Sequence, residues 1–330
     1  MTVKIGIPRS LLFYKYFPLW KTFFEELGAG VITSGHTTKA ILEGGLRLCV
    51  DEACLPVKVA FGHVEALRDQ VDYIFIPRLV SVYPREYICP KFLGFPDMVR
   101  QCMQGLPGII DTNINMYRKE GDMFRQFSEI GRHICKNPLK IAGAYKKAVN
   151  EMRGFDRRVE SGMLPEQAFT ARREDVSERA GANRTVAIVG HPYNIYDGFI
   201  NINLIKRLKD SGINVVTADN VPEQVVNSHA GTLNKRLFWT LGRRMVGSAY
   251  HFLNDPQING MIHVASFACG PDSLTGEMIE RKARRKGNMP FLNITLDEHT
   301  GEAGIVTRIE AFLDMVGMKC TAARNTGTED

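Results

Sequence analysis

The 330-residue sequence has no apolar run near the ~20 residues a helix needs to cross a bilayer. Its first residues, Met1 to Ile7, enter an apolar strand pattern without the zones of a signal peptide. These absences predict a cytoplasmic chain that makes no membrane contact. Neither G-x-x-x-x-G-K-[ST] nor G-x-G-x-x-G after a strand occurs, so there is no P-loop and no dinucleotide fingerprint. Gly190-His191-Pro192 follows a strand as a phosphate loop does but lacks the glycines, and ATP hydrolysis by this chain is not expected. Apart from Cys49 and Cys54, five positions apart, no close cysteine pair of the structural-zinc kind is present. An aromatic stacking platform is also missing where the charge lies. The net charge is +6, and residues 117–184 carry about five of those surplus positives, interspersed with acids. That mixture predicts a solvated helical connector and argues against nucleic-acid binding.

What is present is a repeated cysteine–proline element. Cys54 precedes Leu55-Pro56, Cys89 precedes Pro90, and Cys269 precedes Gly270-Pro271. After Cys54 the apolar-periodic run Val57 to Leu67 reads as a helix, and proline is favoured in a first helical turn because its fixed φ suits the helix and its missing N–H has no partner there. Each cysteine is therefore predicted at a helix N-terminus, where free amides and the macrodipole favour thiolate over thiol. Cys49, Cys102 and Cys320 have no such proline, and Cys135 has one only at Pro138. The total of seven cysteines is odd, so in a reducing compartment they read as core residues, metal ligands or redox groups rather than a disulfide framework.

With 44% hydrophobic residues the chain can bury a large core, and its length favours two domains. Residues 3–8 read as a strand, 17–27 as a helix stopped by Gly28, and 31–33 as the next strand. The pattern returns with a strand at 185–190, an amphipathic helix at 199–209 stopped by Ser211-Gly212, and a strand at 215–218. Strands at 72–77 and 260–265 are each followed by a cysteine–proline element, and further strands follow at 108–111 and 291–295. The predicted fold is α/β: two Rossmann-like domains with parallel sheets, at 1–116 and 184–330, joined by a helical connector at 117–183 and facing across a cleft. Ligand sites of open α/β sheets lie beyond the carboxyl ends of the strands. That rule directs attention to the loops carrying Cys89 and Cys269, to His191–Asp197 and to Asp297–Glu302.

Three thiolates at one site point to iron–sulfur or zinc chemistry, and the bland alternative is three unliganded cysteines. A cluster held by three cysteines keeps one iron open. Asp297, Glu298 and His299 follow a strand directly, which makes Glu298 and His299 the acid–base candidates. Asp51, Glu52, Asp272 and Ser273 suit helix N-termini, Asn194, Tyr196 and Asp197 suit a turn, and His191 suits an interior donor. Arg9, Lys58 and Lys91 are cations available to an anionic group.

Six stretches together resemble one family: Lys4–Arg9, Asp51–Lys58, Ile88–Lys91, Gly190–Asp197, Cys269–Ser273 and Asp297–Gly304. They look like the uncharacterised domain associated with acyl-CoA dehydratase activases, itself related more loosely to the iron–sulfur subunits of 2-hydroxyacyl-CoA dehydratases, benzoyl-CoA reductases and double-cubane cluster proteins. The resemblance implies a [4Fe–4S] cluster, or a double-cubane cluster, with Cys54, Cys89 and Cys269 in the matching motifs. It also implies low-potential electrons from a separate ATP-dependent activator of the actin/Hsp70-like fold, use of those electrons in reductive or radical chemistry on an acyl-CoA-type substrate, and homo- or heterodimers. The competing expectations are a non-catalytic electron-transfer or scaffold component, and a two-domain small-molecule binder with structural cysteines.

Overall fold

A computed structural model describes residues 2–117, 122–171, 184–287 and 289–325. The chain forms two compact units, Met1–Val176 with Leu237–Thr240, and Ser177–Arg236 with Leu241–Asp330.

In the first unit the elements run β1 (Lys4–Ile7), α1 (Phe13–Leu27), β2 (Gly30–Thr33), α2 (Lys39–Leu48), α3 (Leu55–Glu65), β3 (Tyr73–Phe75), β4 (Arg78–Ser81), α4 (Pro90–Cys102), β5 (Gly108–Ile110), β6 (Asn113–Asn115), α5 (Asp122–Gly131), α6 (Pro138–Glu160) and α7 (Pro165–Thr170). The sheet has the order β2-β1-β3-β5 with every pairing parallel. Helix α1 ends at Gly28, whose φ of 93° is a left-handed cap that glycine adopts without a Cβ penalty. Val57, Phe61 and Val64 of α3 join Ile74, Phe95 and Val99 in one buried cluster. Burying each such side chain contributes about 1.5–3 kcal/mol, which fixes α3 and α4 against the sheet.

Residues of the expected connector lie within this unit. Trp20 of α1 stacks on Phe127 of α5 at 4.7 Å and meets Phe75 of β3 at 4.5 Å. Asn137 caps α6 by accepting from the amides of Leu139 and Lys140, and Lys140 reaches back to the carbonyl of Leu27 at 2.9 Å. Helices α5 and α6 thus pack with α1 because their apolar faces need a partner.

The second unit runs β7 (Thr185–Gly190), α8 (Pro192–Ile195), α9 (Leu204–Asp210), β8 (Asn214–Thr217), α10 (Glu223–Ala230), α11 (Thr240–Asn254), β9 (Gly260–Ser266), α12 (Gly270–Lys286), β10 (Phe291–Leu296) and α13 (Glu302–Asn325). Its sheet has the order β8-β7-β9-β10, again wholly parallel. Both sheets therefore carry the order second-first-third-fourth, and the α/β class with Rossmann-like parallel domains stands. β7 and β9 are buried almost throughout, as strands covered on both faces must be. Two helix starts differ from the sequence expectation: α1, predicted from 17, begins at Phe13, and the helix predicted over 199–209 begins only at Leu204. Ile202 and Asn203 take positive φ values of 58° and 55°, and Asp197 captures the amides of Phe199 and Ile200, so local polar bonding displaces the first helical turn. Among the described residues no helix is long and apolar enough to cross a membrane.

Candidate functional site

All three selected cysteines occupy the same local position. Cys54 is the N-cap of α3, Cys89 of α4 and Cys269 of α12, each helix has proline in its first two positions, and none of the three side chains makes a capping bond. Pro90 drives Cys89, directly before it, to extended backbone, whereas Cys54 and Cys269 stand two positions ahead of their prolines.

In the first unit Cys54 and Cys89 lie close enough for their charges to interact. Burial pushes the Cys54 thiol up; the Lys91 ammonium and the Val57 amide oppose that rise, and Cys89 adds to it. Burial therefore works against the thiolate that a helix N-terminus was expected to favour at Cys54. Cys49, the C-cap residue of α2, is pushed up to about 11, chiefly by burial. A cavity of about 520 Å³ opens beside β6 and α5, lined by Tyr87, Asn113, Asn115, Arg125 and Gln126 among others.

The first unit also buries a histidine. His63 of α3 is fully buried, with Nδ1 2.8 Å from Ser34 Oγ and Nε2 2.9 Å from Thr37 Oγ1. Ser34 Oγ in turn accepts from the Arg9 amide at 2.9 Å. Burial pushes the His63 pKa down to about 3, with the charges of Arg9 and His36 adding to the effect. Both ring nitrogens have partners, so this cluster ties the loops after β1 and β2 to α3.

The second unit carries a different arrangement at the carboxyl ends of β7 and β9, where the strand order reverses and such sheets bind their ligands. β7 delivers His191, the N-cap of α8, and β9 leads through Phe267 and Ala268 to Cys269. Gly190 allows the approach: a Cβ there would stand 2.5 Å from the Val264 carbonyl oxygen. Ala268 takes a φ of 61°, a costly conformation for a residue with a side chain, directly before Cys269. Ligand atoms of His191, Cys269 and Asp272 all lie within 4.8 Å of one another, and all three residues are buried.

Asp272, in the first turn of α12, is 1% exposed, and neither carboxylate oxygen has a hydrogen-bond partner. Its nearest counter-charge is His191, whose Nδ1 is 3.4 Å from Oδ2. Burial raises the Asp272 carboxyl, but the neighbouring His191 and His263 charges hold it below its ordinary value. The Tyr193 hydroxyl lies 2.8 Å from His191 Nδ1 and orients that ring. Asn194 accepts from the Ser266 hydroxyl at 2.7 Å, joining the two strand ends directly. His263 is buried in β9 with Nδ1 3.1 Å from Asn293 Oδ1, and its Nε2 has no hydrogen-bond partner.

The remaining candidates fall into place locally. Asp297 accepts from the His299 amide and the Thr300 hydroxyl, making the turn after β10; His299 is exposed on it and Glu298 is half-buried. Neither belongs to the three-residue cluster. Tyr196 hydrogen-bonds Thr217 and Asp219, and Asp197 caps the following turn, so both are structural. Asp51 and Glu52 are exposed in the turn before Cys54.

A family model described as CoA enzyme activase uncharacterised domain matches residues 4–221, well over half of the chain. The chain belongs to that family. The matched span holds Cys54, Cys89 and His191, whereas Cys269 and Asp272 lie beyond it. A search of the curated proteins finds no match.

Proposed function

We propose that this CoA enzyme activase-related domain is an iron–sulfur protein with Cys54, Cys89 and Cys269 as its thiolate ligands. It receives low-potential electrons from a separate ATP-dependent activator of the actin/Hsp70-like fold and directs them into reductive or radical chemistry on an acyl-CoA-type substrate. The observation that carries this reading is the threefold repeat of one device, a cysteine at the N-cap of a proline-opened helix with its sulfur not used in capping. The donor set suits the group: thiolates are the ligands of such clusters, and helix N-terminal amides are the donors that tune them. When bound, a [4Fe–4S] cluster supplies one-electron chemistry at low potential. The protein's own part is to bring thiols out of water, to offset their charge with Lys91 near Cys54, and to offer Glu298 and His299 as acid–base groups after β10. No P-loop or dinucleotide fingerprint occurs in this sequence, which agrees with an activator as the energy source.

The test is iron and acid-labile sulfide on protein purified without oxygen, with visible spectra before and after dithionite. About four irons per chain and a bleachable band are expected for a single cubane. About eight would indicate the double cubane and bring Cys49, Cys102 or Cys135 into the ligand set. Absence of iron after reconstitution, or unchanged iron in Cys269→Ser, overturns the reading. Turnover of acyl-CoA thioesters with activator and ATP separates an enzyme from an electron relay.

A further inference from the structure

Burying a carboxylate without hydrogen bonds costs several kcal/mol unless a cation compensates it. Asp272 comes close to such a group: it is 1% exposed, neither oxygen makes a hydrogen bond of good geometry, and the polar neighbours it has are the His191 ring and the Ser266 backbone. The positive end of α12, the His191 imidazole at 3.4 Å, the His263 ring and the Ser266 backbone are set against it, with no fixed cation among the described residues around it. A thiol and a ring nitrogen stand beside it, each within 4.8 Å. The structure places a complete set of metal-binding donors around a carboxylate that is short of positive charge.

We propose that His191, Cys269 and Asp272 form a binding site for a single divalent transition-metal ion within the second unit. The donor chemistry selects the class of ion. Calcium and magnesium prefer oxygen ligands alone, whereas a mixed thiolate, imidazole and carboxylate set suits zinc, iron(II) or cobalt(II). The size of the cluster selects one ion: at bond lengths of ~2.0–2.3 Å, two ligands of one ion stand no more than ~4.6 Å apart, close to the separation seen here. Ligands on different irons of a cluster stand farther apart. Three protein ligands leave a position open for water or a substrate oxygen. The Tyr193 hydroxyl lies 2.8 Å from His191 Nδ1, the same ring nitrogen that stands 3.4 Å from Asp272 Oδ2, and so gives way at that atom when an ion binds there. The site needs no residue of the first unit and so goes beyond the cluster reading. The two share Cys269: a chain that holds a cluster commits that sulfur to it, and an iron-free chain presents the triad to a single ion.

The full-length protein, stripped of iron under argon, is titrated with cobalt(II) chloride and followed by absorption and X-ray absorption. One equivalent is expected to bind, with a thiolate-to-cobalt charge-transfer band and a coordination shell of one sulfur plus nitrogen and oxygen. Cys269→Ser abolishes the band. Asp272→Asn and His191→Gln each weaken binding at least about tenfold. Cys54→Ser/Cys89→Ser leaves the band intact. No cobalt binding by the wild-type chain, two or more sulfurs in its shell, unchanged affinity in Asp272→Asn and His191→Gln, or loss of the band in the Cys54/Cys89 variant each overturn the proposal. Iron and sulfide measured before stripping report on the cluster separately, so either reading can fail without the other.

Discussion

The two units share one scaffold and treat its functional edge in opposite ways. Each sheet has the order second-first-third-fourth, and in each a cysteine-capped helix follows the third strand. In the first unit β4, which pairs with the later β6 in a separate two-stranded parallel sheet, lies between β3 and Cys89; in the second only Phe267 and Ala268 separate β9 from Cys269. The buried polar groups differ more. His63 has a hydroxyl on each ring nitrogen, whereas Asp272 and His263 Nε2 have no hydrogen-bond partner. Satisfied buried polar groups stabilise and specify a fold, and unsatisfied ones mark where a protein has held something in reserve for a ligand. The comparison supports reading the His63 cluster as structural and makes the Asp272 cluster the place to test for a ligand.

The largest expected effect breaks the structural side of that comparison. Helices α2 and α3 touch through two glycines: a Cβ on Gly62 would stand 1.9 Å from the Ile41 carbonyl oxygen, and one on Gly45 1.9 Å from that of Lys58. Backbone cannot yield as a side chain can, so Gly62→Ala is expected to cost about 3 kcal/mol or more in denaturant unfolding. Since α3 carries Cys54 at its N-cap and His63 near its end, that variant should also lose iron. A variant with wild-type stability would show that α2 and α3 do not cross this closely.

A smaller effect tests whether His63 is structural. Its pKa is pushed from 6.5 to about 3 in the folded chain. Below the unfolded value the unfolded chain takes up a proton that the folded one refuses. Stability from this residue is therefore complete above pH ~6.5 and declines by up to ~1.4 kcal/mol per pH unit as the pH falls towards the folded value. Between pH 6.5 and 5 the loss is about 2 kcal/mol, and His63→Gln should remove it. An identical acid slope in the variant would place the titration elsewhere.

Much of the scaffold was legible because the strands are continuous apolar runs. Thr185–Gly190 and Gly260–Ser266 could be read directly, and Gly28 marked the end of α1 by the conformation only it tolerates cheaply. β4 and β6 were not legible: Arg78–Ser81 and Asn113–Asn115 are short and mixed, and they exist because each continues a neighbouring strand. The helical segment after residue 117 read as a connector because sequence shows an amphipathic face and not what covers it; the Trp20–Phe127 stack supplies the answer. The cysteines announced themselves through their prolines. His191 and Asp272 did not, since eighty positions separate them and only the pairing of β7 with β9 brings their loops together. Asp272 in particular looks in sequence like an ordinary residue of a helical first turn.

The smallest effect probes the chemical side. Gly276 of α12 faces the His263 ring, and a Cβ there would stand 2.6 Å from Cε1. Unlike the α2–α3 contact, the obstacle is a side chain. Gly276→Ala should therefore be accommodated by rotation of the imidazole at a cost of about 1–2 kcal/mol, partly offset by the better helix propensity of alanine. Rotation endangers the Asn293 bond to Nδ1 and redirects the Nε2 that has no hydrogen-bond partner. If His263 only fills space beside the metal-binding triad, the variant loses a little stability and binds cobalt(II) as the wild type does. If His263 helps to balance the charge on Asp272, cobalt(II) affinity shifts by a few-fold while stability changes little. Unchanged affinity would restrict the site to its three ligands; a shift would add a second buried histidine and widen the contrast with the satisfied His63.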